Sequence, residues 1–309
     1  MAQRAPGAVK ARRRYLDLSW GQAHVVEGLG GGPLILALHK VTSASSFYLP
    51  LIEPLATLGY SVAALDLPGY GKSDPPPPGE VPLSWFAAAT AEVVQALAFD
   101  SVWLLGNKTG ASVAMRTAVD HPRLVAGLLL WSVPYLFPPL QHALANEEVP
   151  RFGPGGDAVM AQWQRLYGSC QPELAEFIAA RELGEQLLAT SYHPVAHRAL
   201  ARDDHGAMLA AITQPTLIFA TPDDSLLAET RRAAAAMPAA TYAELSYPTG
   251  YLADEHPREL AEFLDGFIRG DQSGGQSGCT STIISVSQTM SRARPETQIA
   301  ERECRPRSP

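Results

Sequence analysis

The stretch Asp100-Ser-Val-Trp-Leu-Leu-Gly106-Asn107-Lys108-Thr109-Gly110-Ala-Ser-Val-Ala-Met-Arg116 decides how the rest of the chain is read. The apolar run Val102 to Leu105 ends at Gly106, a second glycine follows at Gly110, and an alanine-rich run with helical spacing begins at once. This is the pattern of a strand, a sharp turn and a helix, with small residues where the turn leaves no room for a Cβ. Lys108 stands at the apex of that turn. It is one of only four lysines among 24 basic residues, the others being Lys10, Lys40 and Lys72, so the chain otherwise uses arginine for its cations.

Outward from this stretch the same rhythm recurs. Leu34 to Leu38 is a continuous apolar run, as expected of a strand buried on both faces, and Tyr60 to Leu65, Leu124 to Trp131 and Pro215 to Ala220 read as further buried strands. Helical spacing separates them at Leu49 to Leu58, Pro82 to Leu97 and Ala111 to Asp120. Alternation of this kind predicts an α/β fold, with a mostly parallel sheet and helices on both faces. Arg14 to Trp20 and His24 to Glu27 alternate in period two and predict an antiparallel hairpin leading into the sheet.

Between Pro134 and about Ile212 the alternation gives way to helical pieces punctuated by Pro150, Pro154 and Pro172. These read as a helical cap over the strand ends, whose Phe137, Trp163, Tyr167, Phe177 and Tyr192 either line a pocket or pack the cap onto the core. The sheet then resumes, with a helix over Leu226 to Met237, a last strand over Thr241 to Leu245 and a closing helix over Pro257 to Ile268. The predicted organisation is a lead-in at 1–11, a core at 12–133 and 213–269, a cap at 134–212, and a disordered tail at 270–309, where Ser, Gln, Gly, Arg and Pro dominate.

A length of 309 residues with 46% hydrophobic and 18% charged residues suits one large domain with a sizeable core. The net charge of -7 argues against nucleic-acid binding, because no basic face offsets phosphate repulsion. No apolar run is long enough to span a membrane and the first residues lack a signal-peptide core, so the expected setting is cytoplasmic; the expected partner is a small molecule, and an exposed apolar cap edge could make a homodimer. Cys170, Cys279 and Cys304 are too scattered for a disulfide framework and read as free thiols. No metal is expected, since no His, Cys and carboxylate cluster shows ligand spacing, and no nucleotide cofactor, since no helix follows the Gly28 to Gly32 cluster.

Four landmarks in order carry a resemblance to the α/β-hydrolase superfamily over roughly 12–268. Leu34-Ile-Leu-Ala-Leu-His-Lys40 resembles its apolar strand ending in His-Gly, Asp66-Leu-Pro-Gly-Tyr-Gly-Lys-Ser-Asp74 its Asp-x-Pro-Gly-x-Gly-x-Ser turn, and Gly106 to Gly110 its nucleophile elbow. Pro215-Thr-Leu-Ile-Phe-Ala-Thr-Pro-Asp-Asp-Ser-Leu-Leu227 is similar to the segment that delivers its acid. The resemblance implies an α/β-hydrolase fold and a nucleophile, acid and histidine in that chain order. Carried over position by position, the nucleophile place holds Lys108, the acid place Asp224 with Asp223 as the alternative, and the histidine place Tyr251, while His256 lies more than a turn beyond. His39, Lys40, Asn107 and Thr109 fall in the substrate-binding or oxyanion region, where Lys40 replaces the family's glycine and the Thr109 N–H stays available as a donor.

Lysine cannot perform a serine's acyl transfer, and three functional readings follow. In the first, a lysine at a helix N-terminus, beside a second cation and partly desolvated, has a lowered pKa and serves as base or imine former. The protein is then a cofactor-independent lyase, decarboxylase, isomerase or cyclase acting on a carbonyl-bearing small molecule. Lys40 perturbs Lys108 or anchors an anion, Tyr251 donates a proton and Asp224 orients them. In the second, Lys108 and Asp224 form a buried ion pair in a catalytically inactive, ligand-binding pseudoenzyme. In the third, an ester or C–C bond hydrolase has relocated its chemistry to Thr109, Ser112 or Ser132 with a cap histidine, His193, His197 or His205. Asp66 is read either as a substrate contact or, in preference, as a cap on its own turn.

Overall fold

The structure is a computed structural model that describes residues 11–148, 152–189, 191–270 and 282–283. The chain opens with β1 (Arg12–Leu18) and β2 (Gly21–Gly28), which pair antiparallel, followed by β3 (Leu34–Leu38), α1 (Leu49–Thr57), β4 (Ser61–Leu65) and α2 (Leu83–Ala96). Then come β5 (Val102–Asn107), α3 (Thr109–Asp120) and β6 (Val125–Trp131). Five helices intervene before the sheet resumes: α4 (Pro138–Ala145), α5 (Asp157–Tyr167), α6 (Pro172–Leu188), α7 (His193–Ala201) and α8 (His205–Ala211). After them run β7 (Thr216–Ala220), α9 (Leu227–Ala236), β8 (Thr241–Glu244), α10 (Leu252–Glu255), α11 (Pro257–Ile268) and β9 (Thr282–Ile283).

The strands form one sheet in the order β1-β2-β4-β3-β5-β6-β7-β8-β9. From β4 to β8 every neighbouring pair is parallel, and the antiparallel pairs lie at the two edges. The sequence explains this division: every residue of β3, β4 and β7 is buried, whereas β1 is mostly exposed. Each face of the sheet carries its own apolar cluster. Leu36, Leu104, Leu128 and Ile218 project to the side of α3, and Ile35, Leu105, Leu129 and Phe219 to the side of α1 and α11. The site lies at the carboxyl ends of β3, β5, β6 and β7, where open parallel sheets bind their ligands.

One expectation changes here, and one open alternative is decided. Thr282–Ile283 pairs antiparallel with β8, where the composition predicts no structure. Otherwise the predicted tail lies outside the described residues, apart from Gly270. The cap aromatics do not line the cavity described below. Trp163 and Tyr167 pair with each other, with ring centroids 6.0 Å apart, and the Tyr192 side chain packs on Gly69 while its carbonyl accepts from the Tyr70 hydroxyl. Among the described residues, no helix is long and apolar enough to cross a membrane.

Candidate active site

β5 delivers Gly106 and Asn107 to a turn whose apex is Lys108, with φ 50° and ψ -111°. A non-glycine residue in that region stores about 1–3 kcal/mol of backbone strain, which persists only where the surroundings impose it. They do so here by contact. A Cβ on Gly106 would lie 2.5 Å from the Gly110 carbonyl oxygen, and one on Gly110 2.0 Å from that of Leu38. The Lys108 N–H donates to the Trp131 carbonyl at 3.0 Å, and the Lys108 carbonyl accepts from the N–H groups of Ala111 and Ser112. Thr109 lines the cavity and opens α3, where a helix leaves its first N–H groups without intrahelical acceptors.

The Lys108 ammonium donates to Ser225 Oγ at 2.8 Å and lies 3.9 Å from Asp224 Oδ1. Asp224 is held by its own loop, its N–H donating to the Thr221 carbonyl and its Oδ1 accepting from the Leu226 N–H at 2.8 Å. Its second oxygen accepts from the Ser132 hydroxyl. Asp223, the alternative acid, is exposed and forms no ion pair with Lys108. Burial lowers the Lys108 pKa; Asp224 opposes the shift, and the nearby charges of Lys40 and Arg165 add to it. Burial also raises the Asp224 carboxyl. The Asp224 carboxylate, nearly 4 Å away, opposes the lowering of Lys108 without reversing it.

Of the two roles expected of Lys40, its charge does perturb Lys108, but it is not free to anchor an anion. Its Nζ lies 3.1 Å from Glu182 Oε2, 4.7 Å from the centre of the Phe47 ring and 4.4 Å from that of Tyr251. Burial alone would lower its pKa, but Glu182 raises it above the usual lysine value. Lys40 is therefore a paired ammonium that locks α6 to the core, not an open anchor for an anion. Glu182 is further held by Ser43 Oγ at 3.2 Å and by Arg181, which reaches Asp254 at 2.6 Å. Burial raises the Tyr251 phenol, which stays protonated as a proton donor requires.

His39 turns away from the cavity. Its Nδ1–H donates to the Lys40 carbonyl at 2.7 Å and its Nε2 accepts from the Leu67 N–H at 2.9 Å, so both ring nitrogens hold loop backbone and burial keeps the ring neutral. Its expected place in the oxyanion region is corrected accordingly. Asn107 and Thr109 do line the cavity, and Asn107 Nδ2 donates to the Trp131 carbonyl at 3.4 Å. His256 packs its ring 4.2 Å from that of Tyr247, outside the cavity lining. Asp66 accepts from the N–H groups of Ser45 and Lys72 and pairs with His24 at 2.7 Å, which makes it a cap on its own turn.

The cavity between core and cap measures about 760 Å³. Leu140, Leu144 and Leu200 give it an apolar wall, and Arg165 contributes a guanidinium whose protein partner is Gln162 Oε1 at 3.0 Å. Cys170 also lines it, but burial pushes its thiol up to about 11, which leaves it a poor nucleophile; Cys279 and Cys304 lie outside the described residues. Ser112 and His205 do meet, at 3.1 Å, yet both are buried outside the cavity lining, and burial lowers His205 to about 4. Sequence reasoning missed Glu182, Arg165, Ser225 and a cluster of Glu147, His193 and His197 in the cap. For the cluster a signal existed, since His193-Pro-Val-Ala-His197 places two imidazoles on one helical face.

Comparison with known proteins agrees with this architecture. The family model described as alpha/beta hydrolase fold matches residues 25–242. A 2-hydroxy-6-oxononadienedioate/2-hydroxy-6-oxononatrienedioate hydrolase from Pseudomonas putida is 32% identical over 124 residues, which are 40% of this chain and 41% of that protein. The chain thus matches well under half the length of that relative. Haloalkane dehalogenase 2 from Mycobacterium tuberculosis is 28% identical over 229 residues, covering 67% of this chain and 76% of that protein. Among solved structures, a thermophilic esterase from Thermogutta terrifontis superposes with a TM-score of 0.69 at 19% identity, over 84% of this chain and 99% of that one.

Proposed function

The chain belongs to the α/β-hydrolase family, and from that premise we propose that it is an amine-centred, non-hydrolytic enzyme acting on an anionic, carbonyl-bearing small molecule. The observation that carries this reading is the Lys108 amine at the strained apex of the elbow, lowered in pKa and 3.9 Å from its nearest carboxylate. In neutral form Lys108 adds to the substrate carbonyl carbon, and loss of water leaves an imine that withdraws electrons from the adjacent bond; alternatively it removes a proton beside that carbonyl. Tyr251 supplies a proton, Asp224 and Ser225 orient the amine, and Arg165 takes the anchoring role expected of Lys40. The Pseudomonas relative, named for an oxo dicarboxylate, is consistent with such a substrate class. The proposed setting is the cytoplasm.

The test is turnover of a panel of keto acids, lactones and short esters by the wild type, Lys108→Ala and Lys108→Arg. Both variants are expected to be inactive, because arginine keeps the charge but does not deprotonate. An active Lys108→Arg overturns the proposal, and borohydride trapping of substrate on Lys108 separates imine formation from base catalysis.

A second reading rests on a separate observation: the Ser132 hydroxyl lines the cavity and donates to the Asp224 carboxylate, and the named relatives are hydrolases. A hydrolase centred on Ser132 would label with a fluorophosphonate in the wild type and not in Ser132→Ala. Ligand retention without turnover or labelling would identify the cavity as a binding site only.

A further inference from the structure

We infer that Glu147, His193 and His197 form a binding site for a divalent transition-metal ion on the cap wall of the cavity. His193 and His197 are four residues apart on α7, and both line the cavity that holds Lys108. Their rings lie 5.3 Å apart at 73°, so the two imidazoles approach Glu147 from different directions. His193 Nε2 is 3.3 Å from Glu147 Oε1, His197 Nδ1 contacts Oε2, and the three donor atoms lie within 4.8 Å of one another.

Two features separate this group from a chance surface cluster. The side chains are partly desolvated, at 12%, 20% and 29% exposure for His193, His197 and Glu147. The segment bearing Glu147 is also tied to the helix bearing both imidazoles, because Arg198 donates to the Glu147 carbonyl at 3.0 Å. The carboxylate is therefore tethered to the helix that carries the imidazoles, which lowers the ordering cost of binding an ion.

The donor chemistry selects the class of ion. Two imidazole nitrogens and one carboxylate oxygen, without a thiolate, suit zinc or a neighbouring divalent transition metal better than calcium or magnesium, which take oxygen ligands. Three protein donors leave a coordination position for water or a ligand oxygen. A cation there adds an anchor for an oxygen of the bound molecule, independent of Lys108. The competing arrangement is a metal-free clamp in which both imidazoles donate to Glu147.

The experiment uses the full chain without an affinity tag, stripped with a chelator and titrated with Co²⁺ under visible absorption, then with Zn²⁺ in competition. The expected result is one Co²⁺ per chain with a low-coordinate d–d spectrum, displaced by Zn²⁺, with affinity weakened about 100-fold or more in His193→Ala and Glu147→Gln. His197→Gln keeps a hydrogen-bonding group of similar reach, so it preserves the clamp while removing an imidazole ligand. A wild type without saturable stoichiometric binding, or a folded His197→Gln that binds like the wild type, overturns the inference. The readout is metal stoichiometry, so it stands apart from any result on Lys108 turnover.

Discussion

Lys40 Nζ and Glu182 Oε2 lie 3.1 Å apart and join the loop after β3 to cap helix α6. Glu182 also accepts from Arg181 and Ser43, so it is the shared anion of two cations in a buried place. Removing one partner of such a group strands the others. Glu182→Gln is expected to lower stability by about 3 kcal/mol, measured by urea denaturation, whereas Lys40→Met with Glu182→Leu costs less, because it removes the stranded ammonium and leaves Arg181 paired with Asp254. A loss below about 1 kcal/mol in the single variant would remove the pair as the cap's fastening.

The same pair sets a pH signature. Lys40 and Arg181 hold the Glu182 carboxyl below its ordinary 4.5 against the upward pull of burial, so its stabilisation is complete above 4.5 and lost as pH falls through the depressed value. Lys40 is raised above 10.5, so its share is complete below 10.5 and lost as pH rises through the folded value. Asp224, raised above 3.8 by burial, acts in the opposite sense on the acid side. The informative quantity is therefore the stability difference between wild type and Glu182→Gln. It is expected to be flat from about pH 5 to about pH 10 and to shrink on acidification below that window.

Glycines of the core and the cap divide into those that contact dictates and those that it does not. An alanine at Gly110 places its Cβ 2.0 Å from a backbone oxygen of β3, so Gly110→Ala is expected to cost about 3 kcal/mol. At Gly184, inside α6, nothing lies within 4 Å of the added carbon, and Gly184→Ala is expected to gain about 0.5–1 kcal/mol. Thermal unfolding of the two variants beside the wild type checks both signs.

What was legible in the sequence follows from which information is local. Leu34 to Leu38 and Gly106 to Gly110 carry their own instructions, an apolar run for a doubly covered strand and two glycines for a turn without space, so the sheet and the elbow could be placed from residues alone. Lys40 could be placed near the cavity but not paired, because Glu182 reaches it only when the cap docks. His39 likewise read as a site residue until its two nitrogens were seen holding the Lys40 and Leu67 backbone. Glu147 joins His193 and His197 through tertiary packing, and only the spacing of the two histidines was visible beforehand.

Backbone strain at Lys108 gives a test that separates conformation from charge. Lys108→Gly and Lys108→Ala both remove the amine, but only glycine takes φ 50° without steric cost. Lys108→Gly is therefore expected to be more stable than Lys108→Ala by about 1 kcal/mol, the reverse of the usual entropic ranking. Equal or inverted stabilities, by chemical denaturation, would mean that the turn relaxes around any residue.

The two cavity lysines should titrate in opposite directions. Burial moves Lys108 below its ordinary 10.5, and Glu182 moves Lys40 above it. Trace acylation from pH 7 to 11, with N-acetyl-lysine amide as internal reference and mass spectrometry of each site, reads the two midpoints directly. Lys108 is expected to react with a midpoint below the reference and Lys40 above it. Each unit of depression makes the neutral amine about tenfold more abundant near neutral pH, which is the population that base or imine chemistry draws on. A Lys108 midpoint at or above the reference would leave the elbow a fixed positive charge, and the cavity would then hold anions without transforming them.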